Sequence, residues 1–159
     1  MLKRFIAAVS LIGLLAPQAQ AAPVPRFVSL RADEVNMRAG PGVRYPVEWV
    51  YKRRGLPVKV VETYDNWRKV KDAEGTTGWI HVSMLSGRRT GLVTGDGIRL
   101  RAEADGDAAA VARLERGVIV TLESCPEDGG AYCRAKAGDH AGWVTRDALW
   151  GVLSGETFD

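Results

Sequence analysis

The sequence predicts an all-β protein built from two small, similar units. Short segments in which apolar and polar side chains alternate are separated by turns rich in glycine, aspartate and asparagine. This pattern is typical of half-buried strands joined by tight connections. The plan of the first unit returns about 60–65 residues later, a period too long for a solenoid repeat, so tandem domains are expected. A chain of 159 residues is long enough for two small domains.

The first 21 residues have the features of a secretory signal peptide. Lys3 and Arg4 form a positive N-terminal region, residues 5–15 are apolar, and Ala19-Gln20-Ala21 is a small-residue cleavage site. The apolar stretch is about eleven residues long, much shorter than the roughly 20 residues that a membrane-spanning helix needs. We therefore expect cleavage near Ala21, no membrane span, and a periplasmic or secreted mature protein.

The first unit, residues 26–86, is expected to contain short strands and one helical turn. Its clearest alternation lies at residues 57–62, where the period of two is that of a strand with one buried face. Aspartate, asparagine and glycine mark the turns that follow it. The expected elements are an extended segment at 27–32, strands at 35–38, 47–51, 57–62, 67–71 and 78–81, and a helical turn at 82–85.

The most distinctive stretch runs from residue 35 to residue 47. It begins as a strand, Val-Asn-Met-Arg, in which the two apolar residues should face the core, while the asparagine and the arginine face the surface or brace the adjoining loop. The strand breaks at Gly40-Pro41-Gly42, where we expect glycine to supply a positive φ and proline to set the corner. Tyr45 and Pro46 follow on the same loop.

The second unit, residues 91–152, repeats this plan after the polar junction at 86–91. It has no Gly-Pro-Gly loop, and an acidic stretch at 102–107 replaces it. We expect Tyr132 to stand near the position of Trp67, and Arg113 near that of Trp49. The matching segments are 98–101, 117–122, 132–135, 142–144 and 147–149.

These residues resemble a known family. The segment Asn36-Met37-Arg38-Ala39-Gly40-Pro41-Gly42, followed by Tyr45-Pro46-Val47, resembles the opening of bacterial SH3-like (SH3b) domains, in which it forms a strand and the long loop beside the ligand groove. Both units resemble this family, and the whole chain is similar to exported two-domain SH3-like proteins of Gram-negative bacteria. The resemblance implies two tandem small SH3-like β-barrels after the signal peptide.

The resemblance also implies a non-catalytic binding module without a cofactor. Members of the family bind cell-wall peptides, so peptidoglycan or another short peptide is the expected ligand, held in an aromatic groove on the first unit. The candidate ligand-binding residues are Tyr45, Trp49 and Trp67, with Arg44 and Arg53 available to ligand carboxylates. Aromatic rings suit such a groove because they bury a large area at a low cost in entropy.

Several of these side chains have a structural alternative. Trp49 or Tyr51 could belong to the barrel core, and Tyr45 could simply cover the loop. Arg53 lies in the basic turn 52–54, and such turns often form a solvated sheet edge. Trp79 and Trp143 recur after glycine in both units, so we expect them to fill the cores.

The two cysteines are expected to form a disulfide. Cys125 and Cys133 lie eight residues apart across a turn containing proline and two glycines, and export would place them in an oxidising compartment. Only His140 lies near them as a further metal-binding side chain, so a metal site is not expected. A disulfide here would stabilise the domain by about 2–3 kcal/mol in the chain-entropy estimate.

Charge separates the two units and offers a second functional hypothesis. The mature chain carries 20 basic and 19 acidic residues, so nothing indicates binding to nucleic acid. Residues 22–90 carry a net charge of +6 and residues 91–159 a net charge of −5. An alternative function is therefore a scaffold protein of the envelope that uses its oppositely charged domains to bind a protein partner.

No pattern in the sequence indicates an enzyme. A Cys-His pair needs a free thiol, and both cysteines are assigned to the disulfide. The chain has no G-x-S-x-G nucleophile motif, and its glycine-flanked Asp96 lacks the lysine and helix of a phosphate-binding loop.

Overall fold

The structure is a computed structural model that describes residues 22–128 and 130–159. The predicted signal peptide, residues 1–21, lies outside the described residues. Within the described part the chain forms two seven-stranded antiparallel sheets. Turns and loops connect the strands, and each half of the chain also contains one short 3-10 helix.

The first sheet contains the strands predicted for the first unit and two additions. Each predicted strand forms, and the helical turn expected at 82–85 is the 3-10 helix Val82–Met84. The spatial order of the strands is β3-β2-β6-β5-β4-β1-β7. Their bounds are β1 Arg26–Leu30, β2 Val35–Arg38, β3 Val47–Tyr51, β4 Pro57–Tyr64, β5 Trp67–Lys71, β6 Thr77–His81 and β7 Leu85–Ser86.

The second sheet repeats the first, strand by strand. Its order is β10-β9-β13-β12-β11-β8-β14, which is the first order with seven added to each number. The 3-10 helix of the second barrel, Arg146–Ala148, follows β13, the strand equivalent to the β6 that precedes the first 3-10 helix. The bounds are β8 Thr90–Val93, β9 Ile98–Arg101, β10 Ala110–Leu114, β11 Ile119–Ser124, β12 Tyr132–Ala137, β13 His140–Thr145 and β14 Leu149–Trp150. The prediction of two tandem SH3-like barrels is confirmed.

Each barrel has its own core, formed by the inward faces of the alternating strands. In β2, Val35 and Met37 are each 1% exposed while Asn36 is exposed, as the alternation predicted. Trp79 is also buried, whereas Trp143 is only half-buried, so the second tryptophan fills its core less completely. The fully buried residues of the two cores include Leu30, Val58, Val60, Val70 and Ile80 in the first, and Val93, Leu100, Val120, Ala135 and Val144 in the second.

A glycine on β6 lets the first barrel close. Arg38 on β2 pairs with Trp79 on β6, and Gly78 lies beside this crossing. A Cβ atom on Gly78 would lie 2.6 Å from Met37 Cγ and 3.0 Å from the carbonyl oxygen of Arg38. Because real Cβ atoms do not approach other atoms this closely, only glycine fits where the two strands cross.

The predicted disulfide is present and lies beside the C-terminal tail. Cys125 and Cys133 are bonded and are fully buried in the second core. The backbone of Cys125 pairs with that of Phe158. The predicted second domain ends at residue 152, but the segment that follows it packs against the same barrel.

The two barrels contact each other through an aromatic pair and two hydrogen bonds. The rings of Phe27 and Trp150 meet edge to face at a centroid distance of 5.1 Å. Trp150 Nε1 donates to the Pro57 carbonyl oxygen at 3.1 Å, and Thr90 Oγ1 donates to the Gly55 carbonyl oxygen at 2.7 Å. Lys59 Nζ lies 4.8 Å from the Trp150 ring. Among the described residues no ion pair joins the first barrel to the second.

Candidate functional site

The strongest candidate site is a groove on the first barrel, with a volume of about 330 Å³. It lies between the loop after β2 and the first 3-10 turn, and we call it the loop groove. Its surface is mainly apolar, with a few polar groups at its rim. The residues that line it are Glu34, Asn36, Arg38, Val43, Trp67, His81, Ser83 and Met84.

Arg38 holds the loop that forms one wall. Its Nη1 donates to the carbonyl oxygens of Val43 at 3.0 Å and Tyr45 at 2.8 Å. The arginine of the predicted motif therefore braces the loop, and Val43, 78% exposed, is positioned by it at the groove. Since charged donors make strong hydrogen bonds, Arg38 stabilises this conformation of the loop.

The glycines of this loop serve a purpose other than the one we expected. Neither Gly40 nor Gly42 has a positive φ, so the expectation of left-handed backbone there was wrong. A Cβ on Gly40 would instead lie 2.5 Å from Cδ1 of Tyr45. Glycine is needed because the tyrosine ring lies directly on the backbone. Tyr45 thus covers the loop, although 42% of the residue remains exposed.

The opposite wall combines Trp67 with the first 3-10 turn. Trp67 and His81 lie opposite each other on β5 and β6, and their rings meet edge to face at a centroid distance of 5.2 Å. His81 Nδ1 accepts a hydrogen bond from the Ser83 backbone N–H at 3.2 Å. This contact caps the turn, and Nδ1 also lies 2.7 Å from Ser83 Oγ. The cap thereby orients the histidine ring that packs against Trp67.

The groove contains few charges. Glu34 lies at its rim and pairs with Lys52 at 3.7 Å; both side chains are well exposed, so the pair contributes little to stability. The guanidinium of Arg38 is occupied by the loop carbonyls. An apolar surface with one negative rim group suits a short peptide better than a polyanion.

The structure separates the five predicted ligand residues. Trp67 lines the loop groove, and Tyr45 and Arg44 lie on the loop that forms its wall, both exposed. Trp49 and Arg53 do not line it; they line two other cavities near the second barrel. The alternative placed Trp49 or Tyr51 in the core. It holds for Tyr51, which is 6% exposed, and it is wrong for Trp49, which is 51% exposed.

The second barrel has the same frame, with a tyrosine in place of Trp67 and a threonine in place of His81. Arg101 repeats the role of Arg38 and donates to the Ala108 carbonyl oxygen at 2.8 Å. Tyr132 begins β12 opposite Thr145, as Trp67 begins β5 opposite His81, so the predicted match of Tyr132 to Trp67 is confirmed. The strand register pairs Leu100 with Ala112, and it is this alanine, not Arg113, that occupies the position of Trp49.

Sequence reasoning missed His81, Ser83 and Met84. The sequence feature that could have indicated them was the predicted helical turn, which directly follows β6 in the first barrel and β13 in the second. Residues of such a turn stand at the end of the barrel, where a groove between it and a neighbouring loop is open to ligand.

The described residues contain no group of three or more histidine, cysteine, aspartate or glutamate side chains arranged to hold a metal ion. Within residues 22–128 and 130–159, no helix has the length and apolar character required to cross a membrane.

Comparison with known proteins identifies the family. The solved structures of NlpC2 and NlpC1 from Trichomonas vaginalis align with 86% and 87% of this chain at 11% and 12% sequence identity, with TM-scores of 0.38 and 0.36. The chain spans only about half the length of these two proteins, 51% and 50%. No curated protein gives a significant match. The family model described as the bacterial SH3 domain matches residues 31–87 and 94–151, one match for each barrel. The chain therefore belongs to the bacterial SH3 domain family.

Proposed function

We propose that this protein is a non-catalytic binding module of the cell envelope that holds a short peptide, with peptidoglycan stem or bridge peptides as the expected class, in the loop groove of the first barrel. Membership in the bacterial SH3 domain family supports a cell-wall-related binding module. The family and the disulfide also fit an extracellular or periplasmic protein, because disulfides persist in oxidising compartments.

The observation that carries the proposal is the position of Trp67 in the loop groove. Its ring is half-buried, ordered by His81 and open to the groove. An ordered aromatic surface binds an apolar or backbone segment of a peptide without losing side-chain entropy. In the second barrel the equivalent position carries the smaller ring of Tyr132, and the loop after β9, residues 102–109, has no Gly-Pro-Gly.

The polar groups of the rim suit a peptide backbone. Nδ1 of His81 contacts Ser83, which leaves Nε2 as the ring nitrogen that can face a ligand. The carboxylate of Glu34 and the amide of Asn36 line the same groove. The asparagine amide can both donate and accept a hydrogen bond, and the glutamate carboxylate can accept one. An extended peptide segment needs both kinds of group along one edge. Arg44 on the adjoining loop is free to approach a ligand carboxylate.

The test is co-sedimentation of residues 22–159 with purified peptidoglycan sacculi at low and high salt. We expect pelleting that persists at high salt, because an apolar groove is little affected by screening. The substitution Trp67→Ala should weaken it by roughly tenfold or more, as for an interface hot spot. Tyr132→Ala removes the equivalent ring of the second barrel and is the matched control, and urea denaturation of both variants confirms folding.

Three results would contradict the proposal. Absence of pelleting at either salt would remove peptidoglycan as the ligand. Equal binding by the folded Trp67→Ala variant would remove the loop groove as the site. Pelleting that disappears at high salt would favour the alternative, a scaffold protein of the envelope acting through its domains of charge +6 and −5.

A further inference from the structure

Two adjoining cavities lie where the barrels meet, and they share no residue with the loop groove. Their volumes are about 200 Å³ and about 400 Å³. Four residues line both of them: Leu56, Ala73 and Glu74 of the first barrel and Leu92 of the second. We call this continuous space the boundary cleft. The contacts between Trp150 and the first barrel hold its two walls together.

One end of the boundary cleft is aromatic. Trp49 lines it and is 51% exposed, an unusual position for a large ring on a strand. The ring meets that of the buried Tyr51 edge to face, with centroids 6.4 Å apart. Trp49 therefore does not stabilise the core, and its outer face is free to take an apolar group.

The middle of the cleft has a rigid wall. The turn that carries Ala73 and Glu74 is organised by Asp72, which is 7% exposed. One oxygen of Asp72 accepts from the backbone N–H groups of Glu74 at 3.0 Å and Thr76 at 2.8 Å, and the other accepts from the Tyr51 hydroxyl at 2.9 Å. These bonds fix the turn to the strand of Trp49.

The other end carries two guanidinium groups, one from each barrel. In the basic turn 52–54, Lys52 and Arg54 pair with Glu34 and Asp33, at 3.7 and 3.4 Å. Arg53 instead reaches the second barrel, where its Nη1 lies 4.0 Å from the position that a Cβ on Gly117 would take. The neighbouring Arg116 is oriented by Asp96, at 3.4 Å from its Nε.

We propose that the boundary cleft is a second binding site, which takes the C-terminal end of an apolar peptide. Arg53 and Arg116 bind the terminal carboxylate, since guanidinium groups match carboxylates in shape and charge. Leu56 and Leu92 receive the last side chain, and the residue before it points toward Trp49. The carboxylate of Glu74 accepts a backbone N–H of the ligand. This site is independent of the loop groove and of the function proposed for it.

The probe is N-acetyl-leucyl-leucine, and its C-terminal carboxamide is the matched ligand without the carboxylate. Titration of ¹⁵N-labelled protein, residues 22–159, should shift the amide signals of Glu74, Leu92 and Gly117 and the indole signal of Trp49. We expect the carboxamide to bind the native protein at least about tenfold more weakly than the free acid does. We expect the same loss of affinity when the free acid binds the double variant Arg53→Ala/Arg116→Ala. The double variant Lys52→Ala/Arg54→Ala removes two charges of the same turn that point elsewhere, and it should bind as the native protein does.

The same titration separates this site from the loop groove. Trp67→Ala should leave the dipeptide shifts unchanged, even if it abolishes binding to sacculi. Equal affinity for acid and carboxamide, shifts confined to Trp67 and His81, or no shifts at saturating dipeptide would each overturn the proposal.

Discussion

At the scale of single residues, the structure depends on small side chains at places where backbones cross. Gly78 and Gly142 hold equivalent positions, and a Cβ on either would meet the carbonyl oxygen of the arginine that ends the crossing strand. A Cβ on Gly78 would also meet the side chain of Met37, which is 1% exposed and so has little space to move. These glycines are therefore part of the barrel closure and not merely turn residues.

We predict that Gly78→Ala lowers the free energy of unfolding by about 1–3 kcal/mol, the usual cost of forcing extra volume into a packed site. Gly87→Ala is the control, since no atom lies within 4 Å of a Cβ at that position, and its effect should stay within about 0.5 kcal/mol. Urea denaturation followed by tryptophan fluorescence measures both. Equal stability of the two variants would mean that the strands separate at the crossing at no cost.

At the scale of elements, the C-terminal tail is bound to the second barrel by two arginines. Arg89 donates to both carboxylate oxygens of Glu156, at 2.6 and 3.0 Å, and its guanidinium lies 4.3 Å from the Phe158 ring centroid. Arg146 donates to the Glu156 carbonyl oxygen and to that of Pro126. The tail thus connects the domain junction, the second 3-10 turn and the disulfide region.

Glu156 makes this attachment dependent on pH. Burial alone would raise the pKa of its carboxyl, but the hydrogen bonds from Arg89 and from the Leu153 backbone N–H, with the charges of Arg89 and Arg146, lower the pKa below its ordinary value of 4.5. The unfolded chain therefore binds this proton more readily than the folded one does. The stabilisation is complete above the unfolded pKa and is lost as the pH falls through the folded pKa.

We predict that Glu156→Gln lowers the free energy of unfolding by about 1–3 kcal/mol at pH 7, the range for hydrogen bonds to a charged group, and that this deficit shrinks between pH 5 and pH 3. Calorimetric Tm values across that range test it. Glu123→Gln removes a more exposed ion pair, in which both side chains are over 40% exposed, and should cost less than about 1 kcal/mol at any pH. A deficit for Glu156→Gln that does not change with pH would show that the carboxylate charge is not what holds the tail.

At the scale of the whole molecule, two small barrels support each other. A domain of about 60 residues buries only about 60% of its unfolded surface and is marginally stable alone. Trp150 supplies the main contact, with its ring against Phe27 and under the ammonium of Lys59, and its indole N–H on the Pro57 carbonyl. The pairing also creates the boundary cleft, which neither barrel could form by itself.

We predict that Trp150→Ala separates the barrels. Native protein should unfold in a single transition, whereas the variant should show two transitions by calorimetry and a larger radius of gyration in small-angle X-ray scattering. Trp67→Ala removes a half-buried ring that makes none of these contacts between the barrels, and it should keep a single transition. An unchanged radius of gyration for Trp150→Ala would mean that the Thr90–Gly55 contact is sufficient to hold the pair.

Much of the architecture could be predicted from the sequence because its causes are local. The strand bounds at Val35–Arg38, Val47–Tyr51 and Trp67–Lys71 agree with the prediction residue for residue, since alternation and turn chemistry act over a few neighbouring positions. The disulfide followed from two cysteines across one turn. The repeat and the family motif then determined that the same barrel occurs twice.

The arrangement of the site was decided only by the tertiary structure. Trp49 and Trp67 are both aromatic residues of the first unit, yet β2 and β6 lie between their strands in the sheet order, so they face different cavities. Arg53 lies beside Gly117 of the second barrel and lines the boundary cleft, and the function of Gly40 depends on where the Tyr45 ring lies. Strand order, ring placement and domain docking are contacts between residues distant in sequence. Local pattern therefore determined the two barrels, and their packing alone determined which side chains share a groove.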